Sequence, residues 1–336
     1  MRIALRLAHN AQAVALRRML EIVAENHDVD LVDFDLLCGR SFDLIIVQQL
    51  CLEDANSDGV GRLLTEVQSF GVPYILVERL DGANITGITR RLLCSDCPPA
   101  KVFKTSKYAD PWLWNRYNGR YQEKLIAEAF GVPFEEPRWP KQVPIDRLER
   151  ISVPFNFGAY EHCQRILQYG DERAANTDRP IDVSFAGTVS YSGGLIERHR
   201  QACIESLQRV AVKTPLAVSA ASGRPLGQVE YDDLLFNSKC VVSPCGWGEI
   251  AWRDWEAIFA GCQLIKPCAE HLAGFPSHFA CKPDFSDLAE VVGQAVRGLD
   301  QHHDATDHFR RMQVHDCSPA SVASRLWAEI EQAVQS

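Results

Sequence analysis

The densest concentration of chemically capable residues lies at Ser243-Pro244-Cys245-Gly246-Trp247-Gly248-Glu249-Ile250-Ala251-Trp252-Arg253-Asp254-Trp255-Glu256. This segment leaves an apolar stretch, Lys239 to Val242, and crosses a Pro/Gly loop. It then enters a helix expected over 249–260. Gly246 and Gly248 would let the backbone approach a ligand closely. The first N–H groups of a helix are unpaired and partly positive, which suits a diphosphate. Glu249, Arg253 and Glu256 stand at i, i+4 and i+7, on one helical face. Trp252, Trp255 and Phe259 fall on an adjoining face and are expected in the core. Arg253 carries a fork of donors that fits a diphosphate, and Glu256 could accept from two vicinal ribose hydroxyls. The plain alternative is an exposed Arg253–Glu256 ion pair worth about 0.3 kcal/mol.

A second element is Asp182-Val183-Ser184-Phe185-Ala186-Gly187-Thr188, followed by Ser192-Gly193-Gly194 and Arg198-His199-Arg200. It reads as a strand ending at Gly187 and Thr188, then a helix with basic residues in its first turns. Such a unit can face an anion, with Arg200 preferred over Arg198, or it can be an ordinary strand–helix turn. A third feature is basic and aromatic. Lys101, Lys104, Lys107, Arg116, Arg120 and Lys124 are interleaved with Tyr108, Trp112, Trp114, Tyr117 and Tyr121. Either a helix buries its rings under a solvated basic face, or Lys104, Lys107, Trp112 and Arg116 meet an anionic or lipid-linked acceptor.

Metal chemistry finds little support. Cys94-Ser95-Asp96-Cys97 has no second pair at zinc-site spacing, and His302, His303 and His308 read as a solvated surface. The 12 cysteines include many in apolar surroundings, such as Cys240 and Cys262, where a thiol acts as a small hydrophobe. They are expected to be reduced, with no metal and no cofactor.

The elements that would position these residues alternate. Strands are expected at 2–8, 29–34, 43–48, 74–77 and 100–105, with helices at 11–26, 59–70 and 111–130. After a Pro-rich stretch, a helix at 158–170 is followed by strands at 181–186, 215–219, 239–243 and 263–266. Their helices are 194–210, 230–237, 249–260 and 285–299, and an amphipathic helix closes the chain from Ser321. Such alternation implies parallel sheets with helices on both faces. The expected layout is an N-terminal domain at 1–130, a linker at 131–156, a C-terminal domain at 157–320 and a terminal helix at 321–336. Two such domains would each offer the carboxyl ends of their strands to a ligand, across a cleft.

At 336 residues and a net charge of −9, the chain is acidic, which argues against a generic nucleic-acid binder. No apolar run approaches the ~20 residues of a membrane-spanning helix. Met1-Arg2-Ile3-Ala4-Leu5-Arg6 alternates like a strand and does not read as a signal peptide. The expected place is cytoplasmic, with peripheral contact at the inner face of a membrane as an option. The chain has no Gly-x-Gly-x-x-Gly after its first strand and no Gly-Lys-Ser/Thr loop, which removes the dinucleotide dehydrogenases and P-loop enzymes.

The 243–265 segment resembles the donor-site signature of GT-B glycosyltransferases, especially the exostosin-like and group-one-type bacterial enzymes. Its matching residues are Pro244-Cys245-Gly246, Arg253, Glu256-Ala257 and Gly261-Cys262-Gln263-Leu264-Ile265. The resemblance spans about 180–270, whereas the N-terminal half matches only in layout. It implies an α/β, GT-B fold of two Rossmann-like parallel-sheet domains facing a central cleft. It implies Arg253 on the diphosphate of a nucleotide-sugar donor and Glu256 on its ribose. Gly187, Thr188, Arg200, Gly246, Gly248 and Glu249 would line the same site. The acceptor would be a glycan, a glycolipid or similar. Metal independence is implied too, as is inversion at the anomeric carbon, with retention left open. An inverting transfer needs a base. Asp81, before Gly82, is the residue assigned to it, with Glu78, Asp110 and His9 as rivals and a simple turn role as the alternative. A binding protein on a GT-B frame and a sugar-nucleotide epimerase are the competing functions.

Overall fold

The computed structural model describes residues 1–34, 41–49, 61, 65–67, 69–78, 82–117, 120–135, 141–154, 164–176, 178–190, 194–213, 218–221, 226–276, 278–301 and 303–335. The first half of the chain runs β1 (Arg2–Arg6), α1 (Ala11–Asn26), β2 (Asp30–Asp33), β3 (Leu44–Gln48), β4 (Tyr74–Val77), α2 (Gly87–Leu93), β5 (Lys101–Phe103), α3 (Leu113–Arg116), α4 (Tyr121–Ala129), α5 (Ile145–Leu148) and β6 (Ile151–Ser152). Then come α6 (Asp171–Ala175), β7 (Ile181–Ala186), α7 (Leu195–Lys213), β8 (Val218–Ala221), α8 (Gln228–Phe236), β9 (Ser238–Val242), α9 (Trp252–Phe259), β10 (Gln263–Lys266), β11 (Phe279–Ala280), α10 (Leu288–Gln301), α11 (His303–Asp316) and α12 (Pro319–Gln335).

These elements form two α/β units. The first comprises Met1–Gly119, Pro137–Tyr160 and Asp316–Ser336, and the second Arg120–Glu136 and Glu161–His315. In the first, six parallel strands lie in the order β2-β1-β3-β4-β5-β6. The central strands β3 and β4 are buried along their whole length, as expected of parallel strands covered on both faces. Leu16, Met19, Leu20 and Val23 of α1 pack with Val322, Leu326 and Ile330 of α12 against Ile3, Leu5, Leu44 and Ile46. Asn10 starts α1 by accepting from the Ala13 N–H at 2.8 Å, an N-cap contact worth about 1 kcal/mol.

In the second unit five parallel strands lie in the order β11-β10-β9-β7-β8. The order reverses between β7 and β9. At such a switch point, connections leave in opposite directions and open a crevice at the carboxyl ends of the strands. The core beneath it joins Val183, Phe185, Cys240, Val242 and Ile265 to Cys203 and Leu207 of α7 and Val292 and Ala295 of α10.

Three expectations are corrected. The helix at 111–130 is two helices, α3 and α4, because Tyr117 and Arg120 take extended backbone (ψ 127° and 115°) between them. Helix α4 belongs to the second unit and packs against α7. The stretch 131–156 is not a free-standing linker. Its later part contributes α5 and β6, whose Ile151 pairs with Val102, and a two-residue strand is too short to show a period. Finally, the helix at 249–260 begins three residues later, at Trp252. Of the expected helices at 59–70 and 158–170, residues 59–60, 62–64, 68 and 158–163 fall outside the described residues, while 61, 65–67, 69–70 and 164–167 are helical.

Candidate functional site

Strands β7 and β9 flank the reversal, and the loops that leave them are Gly187-Thr188 and Ser243 to Ala251. Helix α9 follows the second loop. Its start is fixed by Asp254, whose Oδ2 accepts from the Ala251 N–H at 2.8 Å. The same carboxylate pairs with Lys266 Nζ at 2.8 Å, and neither side chain is exposed. Lys266 also reaches the Ser243 carbonyl at 3.3 Å. The end of β10 is thus tied to both ends of the β9 loop.

Helix α7 holds the middle of that loop with two consecutive residues. His199 Nε2 accepts from the Cys245 N–H at 3.2 Å, and Arg200 Nε donates to the Cys245 carbonyl at 2.9 Å. Arg200 Nη1 donates to the Thr188 carbonyl at 2.5 Å, so one guanidinium links the loops after β7 and β9. His199 Nδ1 is 2.8 Å from the Pro283 carbonyl. Donation there and acceptance at Nε2 together assign the neutral Nδ1–H tautomer. Both His199 and Arg200 are buried. Arg198, by contrast, lies over the Phe130 ring at 4.7 Å. Cys245 packs with Cys268, Ile126 and Ile196. A hydrogen bond from Cys268 holds the Cys245 thiol well below its ordinary pKa, against the effect of burial, and His199 adds to it.

Arg253 rises from the first turn of α9 toward Gly187. A Cβ on Gly187 would overlap Arg253 Nη2 and stand 3.1 Å from its Cζ, with Arg200 Nη1 at 3.6 Å. A Cβ on Gly246 would stand 3.3 Å from Arg200 Nη2. Both glycines therefore make room for guanidinium groups, and the two arginines converge on one spot at the switch point. Arg253 stacks over Phe185 at 5.0 Å. Its Nε and Nη1 are buried and have no hydrogen-bond partner among the described residues. Buried donors without partners are costly. Two such donors on a cation, next to a second cation, suit a polyanion.

Glu256 does not pair with Arg253. Its Oε1 accepts from Arg165 Nη2 at 2.6 Å and its Oε2 from Tyr231 OH at 2.7 Å. Burial, with the Glu256 charge next, pushes the Tyr231 phenol up. Asp232 accepts from Arg165, Tyr169 and Gln228 in the same network. A ribose would have to share Glu256 with Arg165 and Tyr231. Glu249 precedes the helix, so it does not share the Arg253 face. It is fully buried, with Oε1 3.4 Å from His271 Nε2. Trp252 was expected in the core and is 52% exposed, whereas Phe259 is buried.

The set read as acceptor-binding is divided. Lys104 is fully buried, and its Nζ lies 2.7 Å from Glu78 Oε2 and 2.8 Å from the Asn84 carbonyl. Glu78 Oε1 accepts from the Thr86 N–H and Thr89 Oγ1 at 2.6 and 2.7 Å. Lys104 is therefore an internal strut at the ends of β4 and β5, and Glu78 is committed to it. Trp114 is buried, its Nε1 donating to the Ala83 carbonyl at 2.6 Å. Trp112 and Arg116 are exposed, and Lys107 is half-buried. Asp81 lies outside the described residues.

Sequence reasoning missed His199, Lys266, Asp254, Arg165 and Tyr231. A buried Lys266 at a strand end beside Pro267 carries a faint signal, but the others act through partners more than twenty residues away or by capping. Among the described residues no group of three or more His, Cys, Asp or Glu side chains could hold a metal ion, and no helix is long and apolar enough to cross a membrane.

No known protein family matches the chain by sequence, and no curated protein does. Solved structures with some likeness to it include sucrose-phosphate synthase from Thermosynechococcus elongatus, 10% identical with a TM-score of 0.42, covering 100% of this chain and 97% of that one. A co-structure of S. aureus MnaA with UDP is 9% identical with a TM-score of 0.39, covering 92% and 90%. An ABC transporter solute-binding protein from Agrobacterium vitis, bound to α-D-tagatopyranose, is 15% identical with a TM-score of 0.26, covering 71% and 81%. Scores this low carry no inference about fold or activity, so the chain is described by its own geometry: an α/β protein with two parallel sheets and a guanidinium-lined site at the switch point of the second.

Proposed function

We propose that the second unit binds the diphosphate of a nucleotide-sugar and that the protein is a GT-B glycosyltransferase acting on a glycan or lipid-linked acceptor. The observation that carries this reading is Arg253. Its guanidinium crosses Gly187 beside Arg200, with Nε and Nη1 buried and unpartnered among the described residues. Phosphoryl oxygens would satisfy both donors with charge-assisted hydrogen bonds. The donor-site resemblance of 243–265 supplies the sugar. With two arginines to neutralise the leaving diphosphate, transfer needs no metal. Inversion is the stereochemical course proposed, with Asp81 as base and with Trp112, Lys107 and Arg116 left to meet the acceptor.

The test is calorimetry against UDP, GDP, CMP and ADP. One of them binds the wild type, and Arg253→Ala weakens it by about 2 kcal/mol, roughly 30-fold. Incubating the matching nucleotide-sugar with candidate acceptors, with and without EDTA, then yields a glycosylated product in both. A variant that binds every nucleotide as the wild type does would overturn the site. Binding without transfer would point to a binding protein, and isomerised nucleotide-sugar to an epimerase.

A further inference from the structure

Helix α4 builds a second feature on the same loop. The Gly246 N–H donates to the Gly248 carbonyl at 3.1 Å, closing a tight turn with Trp247 at its tip. The indole is 55% exposed although it stands beside a buried loop. Arg120 lies over its ring, with Cζ 4.7 Å from the centroid. Gln122 Nε2 donates to the Trp247 carbonyl at 3.4 Å. Between them, Tyr121 meets His271 edge-on at 4.8 Å, and His271 Nε2 faces the buried Glu249 Oε1 at 3.4 Å. Three consecutive residues, Arg120 to Gln122, thus hold an exposed Trp247 and an oriented imidazole whose side chain keeps 9% of its surface exposed. Trp247 follows Gly246, the glycine that makes room for Arg200, by one Cα step of about 3.8 Å.

A pyranose ring has an apolar C–H face and a rim of hydroxyls. The first suits the face of an exposed indole, and the second suits a fixed hydrogen-bonding group beside it. Anionic phosphates at Arg253 would place a sugar near these two side chains. We propose that Trp247 and His271 form the subsite for the hexose ring of the nucleotide-sugar. Trp247 stacks on the apolar face, His271 hydrogen-bonds a ring hydroxyl, and Glu249 is a positioning residue that sets the imidazole. This rests on the reading of Arg253 as a diphosphate ligand.

The experiment compares parent diphosphates with their sugar conjugates on the full chain. UDP, GDP, UDP-glucose, UDP-N-acetylglucosamine and GDP-mannose are titrated into the wild type, Trp247→Ala, His271→Gln and Glu249→Gln, each first checked for an unchanged Tm. Trp247→Ala removes a largely exposed ring and its contact with Arg120, so it keeps the test intact if a variant at the buried Glu249 fails to fold. Trp247→Ala and His271→Gln weaken the bound conjugate about tenfold and its parent diphosphate less than twofold. Equal losses on conjugate and parent place the indole on the nucleotide and overturn the subsite, as does no loss on either. If none of the five ligands, and neither ADP nor CMP, binds the wild type, the diphosphate reading itself has failed and the subsite falls with it.

Discussion

Gly187→Ala isolates the role of Arg253 without touching that residue. An alanine Cβ would overlap Arg253 Nη2 and crowd its Cζ at 3.1 Å. Gly187 shows no left-handed backbone angle, so the substitution strains no dihedral. The clashing atoms belong to the far end of a long, adaptable side chain. The guanidinium retreats by roughly 1 Å or more to restore van der Waals contact, while the sheet stays in place. Stability then changes by about 1 kcal/mol or less. Ligand binding suffers more, because a charge-assisted hydrogen bond is worth about 1.5–3 kcal/mol and depends on distance and angle. Nucleoside diphosphate affinity should fall by ~10- to 100-fold. Calorimetry on Gly187→Ala, Arg253→Ala and the double variant provides the assay. If the alanine acts by displacing Arg253, it costs little in the Arg253→Ala background, so the cycle is strongly non-additive. Wild-type affinity in Gly187→Ala, or additive losses in the double variant, would refute the reasoning.

Lys104→Met leaves the Glu78 carboxylate buried beside Thr86 and Thr89 without its counter-ion. It should destabilise the protein by about 3–5 kcal/mol, readable as a lowered denaturation midpoint, whereas an acceptor-binding lysine would leave that midpoint unchanged. Asp307 accepts from Arg310 at 3.0 Å and from Arg311 at 2.7 Å. Burial pushes its carboxyl up, but these two hydrogen bonds outweigh it and hold the group below its ordinary pKa. A depressed carboxylate contributes stability above its unfolded pKa, about 3.9, and loses it as pH falls through the lower folded value. The Tm gap between wild type and Asp307→Asn is therefore full at neutral pH and closes on acidification below about 4, as a pH series of melts would show.

Much of the fold was legible because a parallel sheet writes its strands as short apolar runs. Leu44 to Val47, Tyr74 to Val77 and Leu264-Ile265 could hardly be solvent-facing, and Gly71 and Gly131 mark helix ends with positive φ. The place of Arg253 in the first turn of a helix after a Gly loop was legible because that pattern is local in sequence. Lys104 was misread because a lysine between aromatics looks like a surface cation. The carboxylate of Glu78, 26 residues earlier, and the Asn84 carbonyl make its burial tolerable. Helix α4 was assigned to the wrong unit for a similar reason. Its apolar side, Leu125 and Ile126, says that it packs, and Ile196 and Cys245, which say where, lie far along the chain. Glu256 shows the same limit, since Arg165 lies 91 residues before it.

The first unit is assembled from three stretches of chain, the last being Asp316–Ser336. Val322, Leu326 and Ile330 of α12 complete its core against α1 and β1. During synthesis these residues emerge only after the whole of the second unit. The half of the protein that is made first therefore cannot finish folding first. Its sheet must wait, with the α1 face uncovered, while β7 to β11 are translated. Chains usually fold from the N-terminus onward as domains emerge, and here the order of completion is reversed. A nascent chain stopped before Pro319 would carry a finished second unit and an exposed strip of Leu16, Leu20 and Val23. That strip is a surface for a chaperone to cover until translation ends.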